Sequence, residues 1–136
     1  MSLDSAQLKG GELFLDGTVL SHGVWHNFYY SPDVVSIGYQ GLLHKPVYIE
    51  HTYDSDPIGK VIKVWFTDGA VKCRLVITDA IAIQKFQNGE LNGLSVNVDT
   101  MVDRVRKIVL KITRYKEVSL CQIPACKVCY VEHVAS

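Results

Sequence analysis

The segment Gly93-Leu94-Ser95-Val96-Asn97-Val98-Asp99 is the strongest constraint in this chain. Leu94, Val96 and Val98 alternate with Ser95, Asn97 and Asp99. A period of two suits a half-buried strand and does not suit a helix. The apolar set is expected to face the core, with Ser95 on the opposite, wet face beside Asn97 and Asp99. Gly93 is expected to leave room for another backbone, such as a substrate's, to approach the strand. A hydroxyl held in that way is either part of a solvated sheet surface or a nucleophile.

Strand-like patterns recur along the chain. The stretch GELFLDGTVLS (11–21) predicts a hairpin turned at Asp16-Gly17. Residues 24–30 are aromatic-rich and read as a strand. Ser31-Pro32-Asp33 supplies an N-cap and a proline at the first helical position, so a helix is expected to run toward Leu43, weakened by Gly38 and Gly41 and stopped at Lys45-Pro46. PVYIEH (46–51) predicts a strand ending at His51, followed by a polar loop. IGKVIKVWF and AVKCRLVI predict a hairpin around Thr67-Asp68-Gly69. Thr78 is expected to cap a helix over 79–87, closed by Asn88-Gly89. KIVLKITRY and EVSLCQI predict two further strands, and 128–132 a last one. Runs of strands with two helices predict a mainly antiparallel, barrel-like or highly curved sheet with helices at its ends.

At 136 residues a single domain over 1–136 is expected, long enough for a real core. Fourteen basic and fourteen acidic residues balance, so there is no long-range pull toward nucleic acid or an anionic membrane, and little repulsion against self-association. No apolar run approaches the roughly 20 residues of a membrane helix. The opening Met-Ser-Leu-Asp-Ser-Ala-Gln lacks the basic start and apolar run of a secretory signal. A soluble intracellular protein follows as the expectation, with no membrane or nucleic-acid partner. Cys126-Lys-Val-Cys129 has no second cysteine pair near it, so ordinary thiols are expected ahead of a zinc site or a disulfide.

Three segments carry candidate chemistry. His51 lies where a strand gives way to a polar loop, a usual place for functional side chains, although its parity follows Val47 and Ile49 and a core-edge histidine is the plainer reading. Ser95 alone would usually be structural. Glu117 and Ser119 should point away from core-facing Val118 and Leu120, to the wet side shared with Ser95. In combination they have meaning. A serine hydroxyl needs a base to take its proton, and the base needs a third group to hold its tautomer. His51, Ser95 and Glu117 could supply those roles from three strands.

The ordered set EHTYDSDPIGKV (50–61), GELNGLSVNV (89–98) and EVSLCQIPA (117–125) resembles the prohead, or capsid maturation, proteases of tailed phages and related proviruses. That family is similar to the herpesvirus maturation protease, assemblin. The resemblance covers roughly residues 10–131. It implies a closed, mostly antiparallel β-barrel with surrounding helices. It also implies Ser95 as nucleophile, His51 as general base and acid, and Glu117 as the orienting acid. Competitors for the third role are Asp54 and Asp56 in the loop after His51, Asp99 on the strand of Ser95, and His133. The backbone N–H groups of Ala125 and Cys126 are the candidate oxyanion donors, since Pro124 has none; Lys127 is a possible basic helper. Thr52 stands where the family often carries an acidic or amide residue.

The implied activity is that of a serine endopeptidase that cleaves capsid or scaffold segments, and also itself, through an acyl-enzyme. It would work inside assembling proheads in the host cytoplasm, as a homodimer or higher oligomer, with no metal or other cofactor. A trimmed, autoprocessed or minimal form is expected, because family members often carry a removable C-terminal tail. Two other readings stand beside it: a catalytically silent capsid-assembly module on the same fold, and a metal-binding β-domain using His51, Asp54, Asp56 and the cysteines.

Overall fold

Alternating apolar residues place nine strands and two α-helices along the chain in a computed structural model that describes residues 11–135. The strands are β1 (Leu13–Ser21), β2 (Gly23–Trp25), β3 (Phe28–Tyr30), β4 (Pro46–Ile49), β5 (Gly59–Thr67), β6 (Ala70–Ile77), β7 (Gly93–Asp103), β8 (Ile108–Cys121) and β9 (Val131–Ala135). The helices are α1 (Pro32–Ser36) and α2 (Ala80–Gln87). All nine strands form one sheet in the order β2-β3-β8-β4-β5-β6-β1-β9, with β7 paired to β8. Leu13, Leu15, Val47, Val61, Leu75, Leu94, Val118 and Leu120 meet in the core with no measurable exposure. Each such side chain stabilises the fold by roughly 1.5–3 kcal/mol relative to leaving it in water. No helix among the described residues is long and apolar enough to cross a membrane.

The mainly-β architecture with two helices matches the expectation from sequence; several boundaries do not. Asp16-Gly17 is no turn: β1 runs straight through it. Asp16 accepts two bonds from Arg74 on β6, at 2.8 and 3.0 Å, and Gly17 admits a close crossing. A Cβ on Gly17 would stand 2.5 Å from both a Leu94 methyl and the Tyr130 carbonyl oxygen. The aromatic stretch is a hairpin, β2–β3, turned at left-handed His26 and Asn27. The helix capped by Ser31 stops at Ser36; Gly38 is left-handed, and a 3-10 turn over Tyr39–Leu42 follows. Asp79, not Thr78, caps α2, accepting the Ala82 N–H at 2.9 Å, while the Thr78 N–H donates to Ile58. The two strands expected over 107–123 are one strand, β8. Three register shifts in its pairing with β7 absorb the break in alternation and add twist.

Pairing is mostly antiparallel, but β4 lies parallel to β8, with Val47, Tyr48 and Ile49 opposite Val118, Ser119 and Leu120. β3 also meets β8 in parallel. The sheet does not close into a barrel. Near its ends, β7 reaches the segment before β9 through one isolated bridge, Gly93–Tyr130, flanked by bonds from Leu94 N–H to Cys129 O and from Val131 N–H to Asn92 O. Residues 122–130 lie between β8 and β9 and form no strand of their own. Cys126 and Cys129 are joined in a disulfide, contrary to the expectation of ordinary thiols, and the last strand begins only at Val131, later than expected.

Candidate active site

The position of His51 follows from how β4 ends. The strand stops at Ile49, and Glu50 and His51 both take left-handed backbone, φ 50° and 57°. That turn breaks the strand's parity. His51 would have followed Val47 and Ile49 into the core; instead its ring swings over the opposite face of β8. Non-glycine residues in this region cost roughly 1–2 kcal/mol each. The turn is held by three bonds: Glu50 N–H to Leu120 O (2.9 Å), His51 N–H to Ser119 Oγ (3.0 Å) and Thr52 N–H to Ile49 O (3.0 Å).

Register then brings the other groups together. In the β7–β8 ladder Ser95 lies opposite Ser119 and Asn97 opposite Glu117, so all four share a face, as alternation requires. Ser95 Oγ is 2.9 Å from His51 Nε2. The Glu117 carboxylate accepts from His51 Nδ1, which leaves Nε2 free to accept the Ser95 proton. The Ser119 hydroxyl donates to the second Glu117 oxygen at 2.8 Å, and the Tyr53 hydroxyl donates to the first at 3.0 Å. Asn97 in turn donates to the Tyr53 oxygen.

The face is not wet, as alternation alone suggested. Glu117 is 2% exposed and Ser119 fully buried, because the turn at His51 and the Tyr53 segment lie over them. Buried polar groups need hydrogen-bond partners, and the Glu117 carboxylate has three donors. In return it raises the His51 pKa above the ordinary 6.5, chiefly through the bond at Nδ1. Burial opposes the rise, and the charges of Glu117 and Glu50 add to it. The Tyr53 phenol is likewise pushed up, first by burial and then by Glu117.

Ser95 borders two clefts. One, of about 260 Å³, is walled by Val19, Leu20, Trp25, Tyr30, Val96 and Val98. The other, of about 550 Å³, includes Val24, Glu50, Ile123 and Lys127. His26, His51, Ser95 and Ala125 border both. Cys126 borders the smaller cleft, tied to Cys129. Gly93 has a different use from the one expected: a Cβ there would stand 2.8 Å from the Pro124 ring and 2.9 Å from Cys121 O. It admits the chain's own 121–124 segment, not an incoming backbone.

The remaining sequence candidates lie elsewhere. Asp54 and Asp56 are exposed and make no bond to His51. Asp99 pairs with Lys116 at 3.4 Å. His133 lies on β9 opposite Asp16 and borders a separate groove with Phe86 and Asn92. Among the described residues no group of three or more His, Cys, Asp or Glu side chains could hold a metal ion. Two participants carried no assigned role in the sequence. Ser119 was signalled only by its parity with Glu117, and Tyr53 by nothing beyond its nearness to His51.

This arrangement of strands is the fold of the herpesvirus proteases. Varicella-zoster virus protease matches with a TM-score of 0.61 at 12% identity, over 92% of this chain and 65% of that one. KSHV protease in complex with a hexapeptide phosphonate inhibitor matches at 0.55 and 18% identity, over 81% and 59%. The Kaposi's sarcoma-associated herpesvirus protease in complex with a dimer disruptor matches at 0.53 and 17%, over 82% and 70%. This chain thus spans 59% to 70% of the length of these three, and at such identities the likeness is one of fold. No protein-family model and no curated protein matches the chain.

Proposed function

We propose that this chain is a serine endopeptidase of viral capsid maturation, with Ser95 as nucleophile, His51 as general base and acid, and Glu117 as the orienting carboxylate. The observation that carries the reading is an imidazole bonded on one side to the Ser95 hydroxyl at 2.9 Å and on the other to a buried carboxylate. Ser95 Oγ attacks the scissile carbonyl carbon as its proton passes to His51 Nε2. The tetrahedral oxyanion is stabilised by the N–H groups of Ala125 and Cys126, next to the clefts. Collapse breaks the C–N bond, and the leaving amine takes the proton from His51. Water, deprotonated by His51, then hydrolyses the acyl-enzyme and restores the Ser95 hydroxyl.

The fold shared with herpesvirus proteases and the resemblance to prohead proteases support a capsid or scaffold polypeptide as substrate, and cleavage of the chain's own precursor. On this reading it works within assembling shells. A homodimer is supported by the dimer-disruptor complex of the Kaposi's sarcoma-associated herpesvirus protease.

A fluorophosphonate probe and a candidate capsid or scaffold substrate test the reading with the protein and Ser95→Ala, with and without chelator. Labelling and cleavage that are lost in Ser95→Ala and indifferent to chelator are expected. Chelator-sensitive activity that survives Ser95→Ala would overturn it in favour of a metal site. No activity from an intact oligomer would leave a silent assembly module.

A further inference from the structure

We infer that Ser119 is a positioning residue that holds the orienting acid and the base in register through a single hydroxyl. The inference rests on the protease reading and deepens it. Ser119 Oγ accepts the main-chain N–H of His51 at 3.0 Å and donates to Glu117 Oε2 at 2.8 Å. It has no measurable exposure, so no water competes for either bond. Its strand neighbours Val118 and Leu120 fill the core, so Ser119 contributes its hydroxyl rather than apolar bulk.

The two bonds do different things. The first pins a histidine whose backbone is left-handed, φ 57°, and so fixes where the ring starts. The second fixes the carboxylate plane, with Oε1 aimed at His51 Nδ1. Glu117 and His51 are 66 positions apart and sit on different elements, so no local geometry relates them. Ser119 is bonded to both. Tyr53 also reaches both groups, Glu117 Oε1 at 3.0 Å and His51 Nδ1 at 3.4 Å, but from a half-exposed position and without a bond to the His51 main chain. Ser119 Oγ also lies 3.3 Å from His51 Nδ1, on the side of the ring that faces Glu117, and makes no bond to Ser95 or to His51 Nε2, so it acts through its partners.

The test compares Ser119→Ala, Ser119→Cys and Ser119→Thr with the unaltered protein. Two quantities are read: the rate of Ser95 labelling by a fluorophosphonate, and the downfield proton resonance of His51 Nδ1–H, assigned by its loss in His51→Gln. Ser119→Ala is expected to slow labelling about 10–100-fold, as a sub-ångström misplacement does, and to shift or broaden the resonance. Ser119→Thr keeps the hydroxyl and restores both. Ser119→Cys keeps the volume with a weaker donor and falls between, carrying the same test if the alanine variant does not fold. Labelling of Ser119→Ala at the unaltered rate, or slower labelling with an unmoved resonance, would overturn the inference. The resonance needs no turnover. An unaltered protein that is never labelled at Ser95 would therefore sink the protease reading while the hold of Ser119 is still measured.

Discussion

Of the left-handed residue pairs that turn this chain, two are held by opposite means. Asp68-Gly69, at φ 52° and 77°, joins β5 to β6. Glu50-His51, at φ 50° and 57°, ends β4. In the first, the turn chemistry is local: aspartate and glycine tolerate this backbone, and the flanking strands pair through Thr67 and Ala70. In the second, neither residue favours the conformation. Roughly 1–2 kcal/mol per residue is offset by hydrogen bonds worth about 0.5–1.5 kcal/mol each, and two of the acceptors, Ser119 and Leu120, belong to β8. A turn that serves only connectivity can be written in its own residues. One that aims an imidazole is held from far along the chain.

The comparison breaks most severely at the distant turn. Glu117→Gln is expected to lower the labelling rate by about 10²–10⁴-fold, by removing the charge that orients His51. The pH profile gives its sign. Glu117 raises the His51 pKa, so the rate is full at high pH and falls as His51 protonates, with the midpoint of that acid limb above 6.5, the ordinary imidazole value. Glu117→Gln removes the raising charge and leaves the burial, so this acid limb moves to lower pH. An unaltered protein whose limb lies below 6.5 would contradict the bond at Nδ1.

At the local turn, Gly69→Ala is expected to cost about 1–2 kcal/mol in a urea titration, because a left-handed position gains a Cβ. That Cβ would also stand 2.4 Å from the His22 ring. Labelling of the folded variant should not change; a large fall would mean the two turns are coupled. Tyr53→Phe, which removes one donor from Glu117, should slow labelling about 3–10-fold and lower stability by about 0.5–1.5 kcal/mol in the same urea titration. Asp99→Asn is the smallest change, under about 2-fold, since its pair with Lys116 is exposed. Equal effects of Asp99→Asn and Glu117→Gln would reverse their assignment.

Period-two alternation is a backbone property, so most strands and the shared face of Ser95, Asn97, Glu117 and Ser119 were legible before any coordinates. The Asp68-Gly69 hairpin and the Ser31-Pro32 helix start were legible for the same reason: their causes lie within a few residues. Asp16-Gly17 has the same turn composition, yet β1 runs through it, because Arg74 pairs Asp16 and the approach of Leu94 and Tyr130 needs the glycine. His51, Ser95 and Glu117 were nameable from residue chemistry and family resemblance. The left-handed step that carries His51 across β8, the burial of Glu117, and the participation of Tyr53 and Ser119 were not. Each depends on a contact spanning more than 60 residues.

The long reach of these contacts has a consequence in time. Ser95 and His51 are 44 positions apart, His51 and Glu117 are 66, and the strand that gathers them is the eighth of nine. Pairings of such separation form late, after the loop-closure entropy has been met. A nascent copy therefore carries the alcohol, the ring and the acid as mutual strangers. On the protease reading, such a copy cannot attack its neighbours on the ribosome until β8 has docked.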